Sequence, residues 1–381
     1  MKGRVILLDM PEERPSQAAL LVDGRLEDLL LDAPKGDATP EPGAISWARV
    51  ERLAPKLGGA FLRLSLEAEG FLRDAKGLRA GEGILVQVSG YAEPGKAVPV
   101  TTRILYKSRR LIHTPDAPGI NVSRQIRDAE ERARLTELVE AAVTEGTAPK
   151  GGFIIRSVAR EAEADDLASD LANVIGQRAH HEGLRRSAEP GQSASPVLAI
   201  DLALREWTDP LPDAVHVGPR AERHVLAPDV IARYGADLAQ LMRCHDGPDP
   251  FADFGVWEEI DRLLQPPVDL DDGTWMSVEP TRAMVTVDVN TAGDFSPAAA
   301  LKANLAAARE LPRQLRLRGL GGVVTIDFAP LARRDRKKVE NAVSAALRRD
   351  AVATSLAGWT PLGHLQLQRK RERRPLTELL P

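Results

Sequence analysis

Two aspartates, each on the polar side of a short β-type run, are the residues in this chain best placed to do chemistry. In VTVDVN, alternation puts Val285, Val287 and Val289 on one face and Thr286, Asp288 and Asn290 on the other. In VVTIDF, the same rule sets Val324, Ile326 and Phe328 opposite Thr325 and Asp327. An isolated carboxylate on a strand of a packed sheet is costly unless it is paired, hydrogen-bonded or metal-bound. Two of them, at the ends of neighbouring strands, make a site for a hard divalent cation with oxygen ligands.

The segment between the two runs must bring them side by side. Ser296-Pro297 is a helix start, a serine N-cap with proline in the first helical position. Leu301, Leu305 and Ala308 continue at helical spacing, and Pro312 inside the pattern should kink the helix. Gly319 follows the last apolar turn as a C-terminal cap, and Gly321-Gly322 lead into the second run. Strand, helix and strand then form a right-handed βαβ unit if the strands are adjacent and parallel. Both aspartates would lie near strand carboxyl ends, where open α/β sheets bind ligands.

The run VEPTRAMVTVDVNT, followed by KANLAAARELPRQLRLRGLGGVVTIDF, resembles the catalytic core of the bacterial ribonuclease E/G family. The resemblance implies that Asp288 and Asp327 hold Mg²⁺ and that Asn290, two residues after the first aspartate, helps orient the reacting water. It implies a multidomain α/β and β fold. Residues 1–41 would supply the N-terminal strands of an RNase H-like domain and 42–113 an OB-fold RNA-binding barrel. Residues 114–190 would be a 5′-phosphate-sensing region, 191–274 the rest of the RNase H-like domain with a linker helix, and 275–381 a mixed α/β, DNase I-like catalytic domain.

Composition agrees with a large soluble chain acting on a polyanion. At 381 residues there is room for two or three domains, and a hydrophobic share of 43% supports sizeable cores. The single cysteine, Cys244, excludes an internal disulfide and an all-cysteine zinc site, which fits a reducing cytoplasm. No apolar run approaches the roughly 20 residues of a membrane span, and MKGRVILLDMPEERP is too charged for a signal peptide. The net charge of −4 hides an asymmetry: from Trp275 onward 18 Lys and Arg face 10 Asp and Glu, a net of +8 that leaves −12 for the remainder. A basic catalytic segment in an acidic protein suits an RNA substrate, although arginines also serve simply to solvate helix faces.

Toward the N-terminus, RVILLDM and ALLVDGRLEDLLLD read as two strands with Asp23-Gly24 at a turn. Short β-type segments with Gly and Pro turns between 42 and about 113 suggest a small barrel. On the residues alone, Phe61 and Phe71 are ordinary barrel core. GAFLRLS followed by EGFLRDAKGL resembles the family's RNA-binding barrel, whose matching phenylalanines stack on bases. That points to Phe71 as an RNA contact and leaves Phe61 open between the two roles. A helix is expected from about Asp128, with Leu135, Leu138, Val139 and Ala142 on one face, before a strand-like GGFIIRSVAR. The resemblance implies a pocket here for the 5′-monophosphate of RNA, with Arg156 and Ser157 as its ligands. A guanidinium fork and a hydroxyl suit phosphate oxygens. Asn121 stands where the family has a glycine whose N–H contacts the phosphate, and Arg132 is a candidate supporting arginine. His180, His181, His216, His224 and His245 show no metal-ligand spacing and read as ordinary histidines.

The chain ends in a basic helix with Val339, Val343 and Leu347 inward, then GWTPLGHLQLQRKRERRPL. The family has a Gly-Leu-x-x-x-x-Arg-x-Arg strand here, which implies that Arg369, Lys370, Arg371, Arg373 and Arg374 lie near the RNA backbone, adding affinity without reading sequence. Longer relatives continue into a Cys-Pro-x-Cys zinc link and a small dimerisation domain. Without a zinc-link oligomer, a monomer or weak dimer is expected. The expectation is therefore a cytoplasmic, Mg²⁺-dependent endoribonuclease acting on single-stranded RNA. The competing expectation is a non-catalytic RNA-binding relative, against which intact Asp288, Asn290 and Asp327 argue.

Overall fold

The computed structural model describes residues 2–12, 15–37, 39–92, 95–145, 150–192, 194–195, 197–226, 233–294 and 296–380. The chain divides into two units, Met1–Arg25 with Leu29–Phe254, and Leu26–Asp28 with Gly255–Pro381.

In the first unit, β1 (Arg4–Asp9) pairs antiparallel with β2 (Gln17–Val22), which turns into β3 (Arg25–Leu31). The turn is Asp23-Gly24, both with positive φ (52° and 79°), as a two-residue hairpin turn requires. The second apolar run is therefore a hairpin, so this stretch supplies three strands where two were expected. A closed barrel follows, in the order β4 (Ile45–Ala54), β5 (Gly59–Arg63), β6 (Glu69–Arg73), β8 (Val98–Thr101), β7 (Gly83–Val88). Alternation fills it with Ala48, Val50, Ala60, Leu62, Leu72 and Val86, all buried.

The barrel ends at Thr101 rather than near 113. The next strands, β9 (Tyr106–Lys107) and β10 (Leu111–Thr114), pair in a second sheet with β11 (Gly119–Val122) and β12 (Gly152–Ile155), in the order β11-β12-β10-β9. Helices α1 (Ala129–Glu145) and α2 (Ala164–Ser187) pack on it through Leu135, Val139, Leu167 and Val174. Helix α1 starts where Asp128 accepts the Glu130 and Glu131 N–H groups at 2.9 and 3.2 Å. The adjacent arginines between β9 and β10 are buried in ion pairs. Arg109 is buried and forks onto Asp237 at 2.7 and 2.8 Å, and buried Arg110 meets Asp170 at 3.2 Å. After α3 (Ala199–Glu206), β13 (Ala214–Val217) and β14 (Met242–Cys244) join the first sheet parallel to β1, completing the order β14-β13-β1-β2-β3.

In the second unit, α4 (Val256–Leu263) precedes β15 (Pro267–Asp269), β16 (Trp275–Pro280) and β17 (Val285–Asn290). Helix α5 (Pro297–Leu317), β18 (Gly322–Asp327), α6 (Arg333–Leu347), β19 (Thr354–Trp359) and β20 (Leu365–Arg369) complete it. The sheet order is β15-β16-β17-β18-β20-β19. Strands β17 and β18 are parallel and every other neighbour is antiparallel. Ser296 caps α5 by accepting the Ala299 N–H at 3.2 Å. The helix continues through Pro312 as one element, and Gly319, at φ +67°, supplies the left-handed residue after its end. Helix α5 lays Ala303, Ala307, Leu311 and Leu315 on the valine face of the sheet, and α6 adds Val339, Val343 and Leu347. One face of the sheet is thus apolar and covered by helices. Among the described residues no helix is long and apolar enough to cross a membrane.

Candidate active site

The opposite face of that sheet is polar, and the ladder lines its side chains up in rows. Parallel pairing sets Asp288 directly against Asp327, and on its other side Asp288 faces Ser277 of β16. The row beneath runs Glu279, Thr286, Thr325, Gln366. The alternation read from sequence holds on both strands: Val285, Val287, Val289, Val324 and Ile326 are buried, while Asp288 and Asp327 are exposed.

A neighbouring amide orients one carboxylate, and a histidine stands near the other. Asn290 donates its side-chain N–H to Asp288 Oδ2 at 2.9 Å. His364 Nε2 stands 3.7 Å from Asp327 Oδ1. Behind Asp327, the buried amide of Asn304 on α5 bonds both backbone groups of Ala329, donating to its carbonyl at 3.0 Å and accepting its N–H at 2.9 Å. This clamp holds the segment leaving β18 against the helix that precedes it. Two exposed carboxylates on adjacent strands are a donor set suited to Mg²⁺, which uses few carboxylates and keeps several waters. Among the described residues no three His, Cys, Asp or Glu side chains are already gathered as a metal cage.

His364 was missed by sequence reading. The signal was present, because in Gly363-His364-Leu365-Gln366-Leu367-Gln368-Arg369-Lys370-Arg371 a histidine occupies the leucine position of the Gly-Leu-x-x-x-x-Arg-x-Arg pattern. Its nearness to Asp327 needed the pairing of β20 with β18, which local sequence does not show.

In the barrel, Phe61 and Phe71 are cross-strand partners on β5 and β6, with ring centroids 5.1 Å apart in an edge arrangement. Their strand neighbours Ala60, Leu62 and Leu72 point inward, so both rings lie half-exposed on the outer wall. The guanidinium of Arg52 lies 3.7 Å from the Phe61 ring centre. The reading of these rings as barrel core is thereby corrected.

The tail arginines need a correction too. Arg369 is not an outward-facing phosphate ligand: it is buried, donates to Asp350 Oδ2 at 2.5 Å and to Thr354 at 2.9 Å, and Asp350 also receives Arg316. Arg373 is spent on Asp28. Lys370 is exposed and meets Glu372 at 2.6 Å, and Arg371 is half-buried beside Gly322.

The expected 5′-phosphate ligands are not gathered at one place. Asn121, Arg124 and Arg132 line a cavity of about 510 Å³ between β11 and α1. Arg132 there donates to the Ser123 and Ile126 carbonyls at 2.8 and 3.0 Å. Arg156 is outside that lining. Its guanidinium donates to the Ser108 carbonyl at 3.0 Å and pairs with Glu206. Ser157 begins a single 3₁₀ turn and is half-buried. Burial alone would push the Glu206 carboxyl up, but the Arg156, Arg205 and Lys107 charges outweigh it and hold the carboxyl below its usual range. His245 meets Asp253 at 2.7 Å and His181 meets Ser195 at 2.8 Å, while the side chain of His224 lies outside the described residues.

Comparison with known proteins agrees with the family resemblance read from the sequence. The model of the Ribonuclease E/G family matches residues 106–372. Ribonuclease G of Salmonella typhimurium (strain SL1344) is 32% identical across 89% of this chain and 74% of its own length. Ribonuclease G of Escherichia coli (strain K12) is 31% identical over the same shares. Ribonuclease E of Synechocystis sp. (strain ATCC 27184 / PCC 6803 / Kazusa) is 27% identical across 96% of this chain and 57% of its own length. The chain belongs to the ribonuclease E/G family.

Proposed function

We propose that the protein is a Mg²⁺-dependent endoribonuclease that cuts single-stranded RNA in the cytoplasm during RNA processing or decay, leaving 5′-phosphate and 3′-hydroxyl ends. Family membership makes it an enzyme of the endoribonuclease class. The observation that carries the finer reading is the in-register pair Asp288 and Asp327 on the open polar face of the second unit. Bound there, Mg²⁺ would polarise the scissile phosphate and lower the pKa of an attacking water. Asp288 and Asp327 would hold the ion, and Asn290 fixes the Asp288 carboxylate through its 2.9 Å bond while keeping its amide beside the site.

The outer barrel wall at Phe61 and Phe71 supplies the RNA platform in this reading. Stacking on aromatic faces tolerates every base, which suits a substrate read as a single strand. The strand order β3-β2-β1-β13-β14, antiparallel then parallel, supports an RNase H-like first sheet, and the barrel supports an OB-fold. The mixed sheet under α5 and α6 is assigned to the DNase I-like class. The test is cleavage of a single-stranded oligoribonucleotide in Mg²⁺ with and without EDTA. Loss of cleavage in EDTA and its return on adding Mg²⁺ is expected. Binding of the oligonucleotide with no cleavage in Mg²⁺ would instead identify an RNA-binding relative.

A further inference from the structure

We propose that His364 is a third protein donor to the divalent ion held by Asp288 and Asp327, and that its nitrogen biases the site toward first-row transition ions, Mn²⁺ among them, relative to Mg²⁺. The inference rests on the reading of the aspartate pair given above. Ile326 and Leu365 are the last pair of the antiparallel ladder of β18 and β20, and one residue beyond it His364 and Asp327 bring their side chains near each other. Ser277, Asp288 and Asp327 form one row across β16, β17 and β18, and His364, the residue just before β20, lies at its end beside Asp327.

The separation of the two donors is informative. At 3.7 Å, His364 Nε2 and Asp327 Oδ1 are too far apart for a hydrogen bond. Two adjacent donors each about 2.1 Å from one octahedral ion lie about 3 Å apart, so the exposed ring and carboxylate must draw together by roughly 0.7 Å to share an ion, in keeping with the absence of a preformed three-donor cage among the described residues. The turn before β20 sets the histidine in place. Thr360 donates its N–H to the His364 carbonyl at 2.8 Å, the His364 N–H reaches Thr360 Oγ1 at 3.1 Å, and Gly363 takes φ +99° to close the turn. The His364 side chain is 34% exposed, and among the described residues its ring has no other polar partner, so Nε2 is available to an ion approaching from the open face. Leucine in the family pattern could give no such donor. An imidazole nitrogen adds little for Mg²⁺, which takes oxygen ligands, and adds more for ions further along the transition series.

The test is Mn²⁺ binding to the untagged full chain, followed by EPR titration, with pulsed EPR reading the nitrogen coupling of a directly bound imidazole. Wild type, His364→Leu, His364→Gln and Asp288→Asn are compared, and Mg²⁺ affinity is read by competition. Wild type is expected to show the nitrogen coupling. Both His364 variants should lose it and bind Mn²⁺ about tenfold or more weakly, with a smaller change for Mg²⁺. Asp288→Asn should lose saturable Mn²⁺ binding. The chain has seven histidines, so a coupling that survives in His364→Leu comes from another ring and overturns the proposal. Saturable Mn²⁺ binding that depends on Asp288 but shows no nitrogen overturns the role of His364 and leaves the aspartate pair standing. Binding that ignores Asp288→Asn overturns both.

Discussion

Asp288 and Asp327 are direct partners in the only parallel pairing of the six-stranded sheet of the second unit, exposed on the face that no helix of that unit covers. Neither side chain contributes to the apolar core, so changing them tests chemistry rather than folding. Asp288→Asn and Asp327→Asn are each expected to reduce Mg²⁺-dependent cleavage at least about 100-fold, with Kd for RNA and Tm close to wild type. Near-normal kcat in either variant would remove that carboxylate from the metal site.

The two barrel phenylalanines lead to a binding prediction with the opposite signature. Phe61 and Phe71 touch each other on the outer wall, away from the buried Ala60, Leu62 and Leu72. Phe71→Ala should weaken RNA binding by about 1–3 kcal/mol for each base that stacks there, with little loss of thermal stability. Phe61→Ala should do likewise, and the double variant should cost less than the sum because the rings are in contact. Fluorescence anisotropy with a short oligoribonucleotide reads both. Unchanged affinity with a large drop in Tm would mean that the rings act as packing after all.

What could be read from the chain was what local periodicity controls. The faces of β17 and β18, the Ser296-Pro297 start of α5, its Gly319 end and the inward Val339, Val343 and Leu347 of α6 follow from alternation, caps and 3.6-residue spacing. What could not be read depended on partners far along the chain. The barrel ends at Thr101, where β8 pairs with β6 and β7, because residues 111–114 pair with β12 at 152–155 and residues 106–107 pair with 112–113. Alternation alone cannot say which side of a strand faces a barrel interior until the barrel closes, so the exposure of Phe61 and Phe71 was undetermined. An arginine-rich tail looks like an RNA surface until Asp350 and Asp28 are placed beside it.

Arg369 makes that last point testable. Its side chain and that of Asp350 are both 1% exposed, and the remaining Asp350 oxygen takes Arg316. Removing one member of a buried ion pair leaves an uncompensated charge and costs about 3–5 kcal/mol. Arg369→Ala is therefore expected to lower the urea midpoint strongly, while at a temperature where the variant is folded its RNA affinity and the salt dependence of that affinity stay near wild type. A stable variant with weakened, less salt-dependent RNA binding would return Arg369 to the RNA surface.

The 5′ end of the substrate is the last point at which geometry and resemblance can be weighed against each other. Arg156 can offer a phosphate a charge-assisted fork and Ser157 one further hydrogen bond, each charged bond contributing about 1.5–3 kcal/mol. In the structure that fork is already held by Glu206, whose carboxyl is kept ionised through neutral pH by Arg156, Arg205 and Lys107. A 5′-phosphate must displace Glu206, and Asn121 stands in a separate lining with Arg132. The wild-type preference for a 5′-monophosphate over a 5′-hydroxyl, read as the ratio of kcat/KM, is therefore expected to be modest and below about tenfold, equivalent to roughly 1.4 kcal/mol. Glu206→Gln frees the guanidinium while keeping the side chain's size and is expected to raise the ratio. Arg156→Ala should bring it to one. If the ratio in wild type exceeds tenfold and survives Arg156→Ala, the phosphate is read elsewhere, and the cavity at Asn121, Arg124 and Arg132 becomes the place to test. If Glu206→Gln leaves the ratio unchanged, Arg156 is a structural arginine and its pairing with Glu206 serves only to join α3 to the turn after β12.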